Sequence, residues 1–413
     1  MGGLACNDTS AARRNEDMPG SPVEAPALSR KKNRLPAVQE LGLLIVIFCL
    51  ALFLWRASRP VNLTLLPKTI NGVLMPFRQV QENGFLRTSN IVNSVLTVMS
   101  WMAIMAIGET IVIISGGIDI SVGSIMGLSS FVTALALLKL PADASAPVVL
   151  LVGVGTALGI GLLCGLVNGI TVVGLRMHPF IVTLATLSIF RWIALKLGVA
   201  YGASQPFGDT PLPAAFTDHF VAWEFKYSRY GGQMIETLGV VPIFVMLVCL
   251  AAGWIYLRHT VWGRQTYAVG GNEEAARFSG IRLPWVKLRV YALCGLCAGI
   301  AGMLNCGFYK SAATDTGKGY ELNVIAAAVV GGASLTGGRG TALGAVLGML
   351  VLQLIEDGIF VVGNLNLGVT KIEVVKEDTQ LILGVAIILA VAVDQFSTYL
   401  QARRAARLRT VAS

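Results

Sequence analysis

Gly116-Gly117-Ile118-Asp119-Ile120-Ser121-Val122-Gly123-Ser124 interrupts an apolar stretch that runs from Ile91 to Leu138. Both flanks read as helix, and spans across a hydrocarbon layer about 30 Å thick are expected at about 91–115 and 119–139. Paired glycines break a helix, and Asp119 followed by Ser121 offers capping side chains to the helix that follows. No water is available inside a bilayer, so irregular backbone persists there only when packed in protein or lining a cavity. A carboxylate at such depth is costly and marks a functional candidate. A tight turn outside the bilayer, with Asp119 as a solvated cap, fits the same spacing equally well. Gly116, Gly117, Asp119 and Ser121 are therefore candidate residues of a translocation path, and Glu109 joins them from the preceding span.

The composition carries the same message through the rest of the 413-residue chain. Apolar residues make up 54% and charged residues 13%, where soluble domains carry about 25% charged residues; mean hydropathy is +0.69. Several windows of 18 or more residues lack charge. The expected fold is all-α: a polytopic helical membrane protein of about ten transmembrane helices, some of them broken. Continuous apolar runs exclude a β-barrel, whose strands alternate. The net charge of +9 does not call for nucleic acid, since the basic residues lie beside apolar spans, where anionic headgroups account for them. Six of the seven cysteines fall in or beside apolar segments, and Cys294-Gly-Leu-Cys297 reads as small packing residues within a span and not as a redox pair.

Residues 1–36 have too little apolar surface to fold and are expected to form a disordered tail. The run Leu41–Trp55 reads as a retained first span. Further spans are expected at about 91–115, 119–139, 147–174, 179–198, 237–257, 286–307, 320–336, 341–363 and 379–395, making a membrane domain of residues 37–397. An even number of spans puts both termini on one side. The basic run Arg30–Arg34 and the basic tail 398–413, with Arg403, Arg404, Arg407 and Arg409, assign that side to the cytoplasm. Under this scheme 18 Lys and Arg lie inside and 13 outside. The aromatic residues of the 199–236 loop (Tyr201, Phe207, Phe216, Phe220, Trp223, Phe225, Tyr227 and Tyr230) suit either an interfacial segment or a docking surface.

A polar dozen, Gly270–Ile281, lies in the loop expected at about 258–285. It reads as a short helix with both ends specified: Asn272 as N-cap, Glu273 and Glu274 in the first turn against the positive end of the dipole, Ala275 within, Arg277 towards the other end, and Gly280 as a left-handed stop. Such a helix outside the bilayer, starting after Gly271, is a surface to offer a partner, although a solvated connector is the plainer reading. A second glycine-rich break, Gly331-Gly332-Ala333-Ser334-Leu335-Thr336-Gly337-Gly338-Arg339-Gly340, resembles the first and hints at internal duplication. Gly331 and Gly332 are accordingly further path candidates. Gly161 with Gly165, and Gly344 with Gly348, form Gly-x-x-x-Gly faces for close helix packing. Arg191 lies within a span. Its charge allows a buried pair with Glu109, or a side chain that reaches back to the interface.

Several chemistries have no residues to support them. The chain has no G-x-x-x-x-G-K-[ST] motif for nucleotide, its three histidines are scattered, no Cys/His spacing suggests a metal, and no catalytic triad or carboxylate pair stands out.

Four blocks together resemble a known family. They are Gly116–Ser124; Pro179-Phe-Ile-Val-Thr183-Leu-Ala-Thr186-Leu-Ser-Ile-Phe-Arg191; Gly263-Arg264 with Tyr267-Ala268-Val-Gly270-Gly271-Asn272-Glu273-Glu274-Ala275-Ala276; and Gly319-Tyr320-Glu321-Leu322 with Ile325-Ala-Ala-Ala and Gly331-Gly332. In order and spacing, over about residues 83–395, they look like the ribose/xylose-type permeases of bacterial ATP-binding-cassette importers. The resemblance implies a permease in the bacterial inner membrane that pairs with a second permease copy and takes sugar from a periplasmic sugar-binding protein. It also implies a separate cytoplasmic ATPase, which would carry ATP and Mg, this chain needing no cofactor of its own. In that scheme the 270–281 helix, with Gly271, Asn272, Glu273, Glu274, Ala275, Arg277 and Gly280, couples the permease to the ATPase. An ion-gradient-driven transporter acting alone, through Glu109 and Asp119, is the competing expectation. The long N-tail, residues 56–82 and the charged segment 364–378 depart from the family's pattern.

Overall fold

The computed structural model describes residues 35–362, apart from 59, 66, 71–72, 76–77, 142, 201–211, 222 and 230–233, together with 364–366, 371–373, 381, 384–385 and 388. The tail preceding residue 35, most of the span expected at 379–395 and the tail 398–413 lie outside these residues, as do Tyr201, Phe207 and Tyr230. The fold is helical. Its helices are α1 (Leu35–Ala57), α2 (Val98–Ile114), α3 (Val122–Leu138), α4 (Ala146–Leu175), α5 (Pro179–Ala200), α6 (Val241–His259), α7 (Val261–Gly271), α8 (Glu273–Phe278), α9 (Leu283–Tyr309), α10 (Tyr320–Val330) and α11 (Ala342–Val362). Four small antiparallel hairpins occupy connections: β1 (Pro60–Leu65) with β4 (Arg78–Asn83), β2 (Lys68–Ile70) with β3 (Val73–Met75), β5 (Glu224–Arg229) with β6 (Met234–Gly239), and β7 (Asn364–Asn366) with β8 (Lys371–Glu373).

Among the described residues seven helices are long and apolar enough to cross a membrane, and α3 and α10 are shorter apolar helices. The expected span 320–336 is thereby shortened. α10 has 11 residues, a rise of about 16 Å, and ends where the second glycine break begins.

The helices differ in the number of sides they hide. α2 continues a π-helical turn at Asn90–Thr97, and every residue from Met99 to Ile114 is buried. Its sequence is apolar all round, as a helix surrounded by other helices requires. α6, α9, α10 and α11 pack against it. α4, α5 and α6 instead bury one stripe each and turn Leu151, Leu163, Ile170, Ile181, Ile189, Trp192 and Phe244 outward. In a membrane that apolar outer face needs no partner other than lipid.

α4 and α9 form the closest crossing. A Cβ on Gly161 would run into the Gly295 carbonyl and the Gly299 backbone, and one on Gly295 would run into Gly161 and Gly165. Two Gly-x-x-x-Gly faces thus interlock backbone to backbone, which only the missing side chains allow. The second glycine pair, Gly344 and Gly348, receives the carbonyls of Gly331, just past α10, and of Ala327 within it in the same manner.

The aromatic loop divides into two populations. Phe216 is fully buried against Gly153 of α4, with Phe220 beside it. Trp223, Phe225 and Tyr227 are exposed on or next to β5. Part of what reads as an interfacial or docking segment therefore belongs to the core.

Candidate functional site

The first glycine break folds back into the bundle instead of leaving it. After Ile114, Gly116 takes φ +85° and reverses the chain. The Asp119 amide then donates to Glu109 Oε1 of α2 at 3.0 Å. Asp119 is fully buried, which removes the reading of a solvated turn. Its Oδ1 accepts from the Ser121 amide at 2.9 Å and the Ser121 hydroxyl at 2.6 Å. Asn168 of α4 donates to Asp119 Oδ2 at 3.1 Å and to Ser121 Oγ at 2.7 Å. Ser121 stands at the N-cap position of α3, yet its side chain caps no helix N–H. The expected capping is corrected here: the hydroxyl is drawn into a buried network of better acceptors. Cys294 of α9 lies 3.7 Å from Glu109 Oε2, and the Tyr291 ring covers Gly117, where a Cβ would stand 2.6 Å from the phenol oxygen.

The second break meets the first. Gly338 donates its amide to the Ile114 carbonyl at 2.9 Å. A Cβ at Gly337 would stand 2.6 Å from the Gly270 carbonyl oxygen and 3.2 Å from the Gly116 Cα. Gly270 has no room at all, since a Cβ there would overlap the Ile114 carbonyl and press on the Gly338 amide. The Tyr267 hydroxyl donates to the Gly340 carbonyl at 2.7 Å. Burial pushes this phenol up to about 12, so it remains a donor across ordinary pH. The end of α2, both glycine breaks and α7 therefore converge on Gly270, the residue that leads into the polar dozen.

That dozen holds the last two residues of α7 and the whole of α8, the one short helix expected there. Thr260 caps α7 by accepting from the Gly263 amide at 2.9 Å. Asn272 then caps α8 by accepting from the Ala275 amide at 2.9 Å. Gly280, at φ +82°, stops α8 in the left-handed conformation. Ala276 is buried, and Glu273 reaches Lys287 of α9 at 2.7 Å. These contacts hold α8 flat on the bundle and leave Glu274, Ala275, Arg277 and Phe278 exposed. Phe278 is 77% exposed with the Arg277 guanidinium 5.4 Å from its ring centre.

Arg191 and Glu109 do not meet. Arg191 of α5 donates to the Thr316 carbonyl at 2.7 Å and the Thr314 carbonyl at 3.4 Å, with Asp315 and Glu321 as its electrostatic neighbours. It holds the 310–319 connection against Gly123 and Gly127 of α3, whose missing side chains admit the Gly317 and Thr316 carbonyls. It lies twelve residues into α5, about 18 Å along the axis, and this carbonyl clamp replaces the expected pair with Glu109. Gly331 lies against the Gly344 carbonyl, and Gly332, at φ +93°, makes the turn that follows.

Asn168, Tyr291 and Phe278 carry part of this geometry without having stood out in the sequence, and Cys294, read there as a packing residue, also lies beside Glu109. Asn168 is a single amide inside the thirty-residue apolar helix α4, a signal of the same kind as Glu109. The others look like ordinary span or loop residues until α9 and α8 are placed. Among the described residues no group of three or more His, Cys, Asp or Glu is positioned to hold a metal ion.

A polytopic helical bundle whose two glycine-rich breaks meet inside it, with a short capped helix on its surface, fits a transport permease. The family described as "Branched-chain amino acid transport system / permease component" matches residues 91–392, and the chain belongs to it. It is similar to the ribose import permease protein RbsC of Escherichia coli (strain K12), 36% identical over 324 residues covering 78% of this chain and 90% of that protein. It is also similar to the fructose import permease protein FrcC of Rhizobium meliloti, 34% identical over 304 residues covering 73% of this chain and 77% of that protein. The autoinducer 2 import system permease protein LsrD of Yersinia enterocolitica is 33% identical over 266 residues, covering 64% of this chain and 74% of that protein. The chain is thus a multi-pass membrane permease component, a transport subunit and not an enzyme.

Proposed function

We propose that this chain is the transmembrane permease subunit of an ATP-binding-cassette importer that passes a monosaccharide into the cytoplasm. ATP and Mg would be bound by a separate cytoplasmic ATPase, and the sugar delivered by a periplasmic binding protein. The permease would work as a pair, most simply two copies of this chain, in the bacterial inner membrane with both termini cytoplasmic. Ribose and fructose, named for its relatives, set the substrate class.

One observation carries the coupling role. α8 is capped at both ends and pinned to α9, and it is joined through Gly270 to Ile114, Gly116 and Gly337. A displacement of α8 by a docked ATPase would bear on both glycine breaks at once, because backbones in direct contact leave no compressible side chain between them. Glu274, Arg277 and Phe278 would form the docking face.

Affinity purification of the tagged chain from its native membrane in mild detergent tests this reading. The expected result is a P-loop ATPase that co-purifies with the wild-type chain and is lost with Glu274→Arg. The buried Glu109 and Asp119 favour a second reading, an ion-driven transporter. A chain that purifies alone and transports solute in liposomes on an ion gradient would establish that one instead.

A further inference from the structure

The edge where α6 ends and α9 begins carries a concavity of about 400 Å³, lined by Trp262, Gln265, Gly280, Arg282, Trp285 and Arg289. Both tryptophans stand within a turn of the end of an apolar span. Trp262 follows closely on His259, the last residue of α6, and Trp285 lies in the first turn of α9. Span ends lie at headgroup level, where tryptophan is favoured for its apolar body and its N–H. Trp262 and Trp285 are 56% and 63% exposed.

Arg289 is already set in place. Its guanidinium lies 5.3 Å from the Trp262 ring centre, and Nη2 donates to Gln265 Oε1 at 3.1 Å. Its Nε is buried with no acceptor among the described residues. The planar fork of an arginine suits a phosphate. Arg282 is exposed on the rim, and no carboxylate lines the concavity. The adjacent Glu273 is held by Lys287 at 2.7 Å.

We infer that this concavity binds the headgroup phosphate of an anionic glycerophospholipid in the leaflet it borders. Arg289 and Arg282 donate to the phosphate oxygens, while the two indoles cover the glycerol and the first methylenes. A lipid satisfies the site better than free phosphate does, since its acyl chains stay in the adjoining hydrocarbon and the tryptophans gain an apolar partner. Gly280 ends α8 on the same rim, so a bound headgroup braces the base of α8. That last consequence rests on the role proposed for α8; the binding itself does not.

Native mass spectrometry tests the site directly. The full chain, with any accompanying subunits, is stripped of lipid in mild detergent and titrated with dioleoyl-phosphatidylglycerol or dioleoyl-phosphatidylcholine. Selective retention of phosphatidylglycerol is expected, weakened about fivefold by Arg282→Gln, the loss of one cation near the surface. Arg289→Lys keeps the charge but loses the planar fork held by Trp262 and Gln265, and weakens retention as well. Arg282 is solvent-facing, so its variant keeps the wild-type melting temperature and remains interpretable if Arg289→Lys fails to fold. Equal retention of both lipids, or unchanged retention by Arg282→Gln, would overturn the site. Displacement of the lipid by inorganic phosphate would assign it to a soluble anion, and displacement by an added ATPase subunit would make it a protein interface; either result overturns the lipid assignment.

Discussion

At the scale of single residues, the buried polar atoms set the terms. Asp119 accepts from two groups of Ser121 and from Asn168 in a place closed to water, so removing its carboxylate orphans several donors together. Each orphaned donor costs about 1–3 kcal/mol. Asp119→Leu is expected to fall below wild type in melting temperature or membrane level, and Asp119→Asn, which keeps one acceptor oxygen, to lie between the two. Wild-type stability in both variants would contradict the network. Gly270→Ala is expected to be more damaging than its one methyl group suggests, because the Cβ has only backbone around it. Gly271→Ala, with nothing within 4 Å of its Cβ, is expected to leave the melting temperature unchanged. The sequence shows Asp119 as out of place and leaves open whether it is buried. Burial depends on Gly116 turning the chain back towards Glu109, a path set by contacts with α4 and α9 that lie far away in sequence. The pairing of Arg191 was illegible for the same reason, since its acceptors are backbone carbonyls of a connection more than a hundred residues away.

At the scale of elements, helix positions were readable from continuous apolar runs, and the ends of α8 from Asn272 and Gly280, because capping is a local interaction. The length of α10 was not. Its apolar pattern continues past Val330 into Ala333, and the helix stops because Gly331 and Gly332 are committed to α11 and to the turn. Helix pairing is likewise invisible in one segment. Of the glycines of α4, Gly161, Gly165 and Gly169 face α9, while Gly155 and Gly159 meet nothing within 4 Å. Gly161→Leu is therefore expected to force α4 and α9 apart at a cost of at least about 1–3 kcal/mol, the range for overpacking. Gly159→Leu is expected to be tolerated, because its Cβ meets nothing within 4 Å. Thermal melting in detergent distinguishes them, and equal losses would contradict the crossing.

At the scale of the whole molecule, the account is one of mechanical connection. α2 runs through the centre, its end is gripped by both glycine breaks, and Gly270 links that grip to α8 on the surface. Membrane class and family were legible in the sequence because they rest on composition and on motifs with fixed spacing. The meeting of the two breaks at Gly270 was not, since the residues involved are spread over more than two hundred positions and are nearly all glycine, which leaves little pattern to read. In the proposed function α8 would be the input and the breaks the output. The most direct measurement is radiolabelled sugar uptake into proteoliposomes containing the purified complex, with ATP supplied on the α8 side and ion gradients collapsed by ionophores. The account predicts uptake that requires ATP, survives the ionophores, and is abolished by Glu274→Arg in a complex whose permease remains folded. Uptake driven by an ion gradient without ATP, or undiminished in Glu274→Arg, would contradict it.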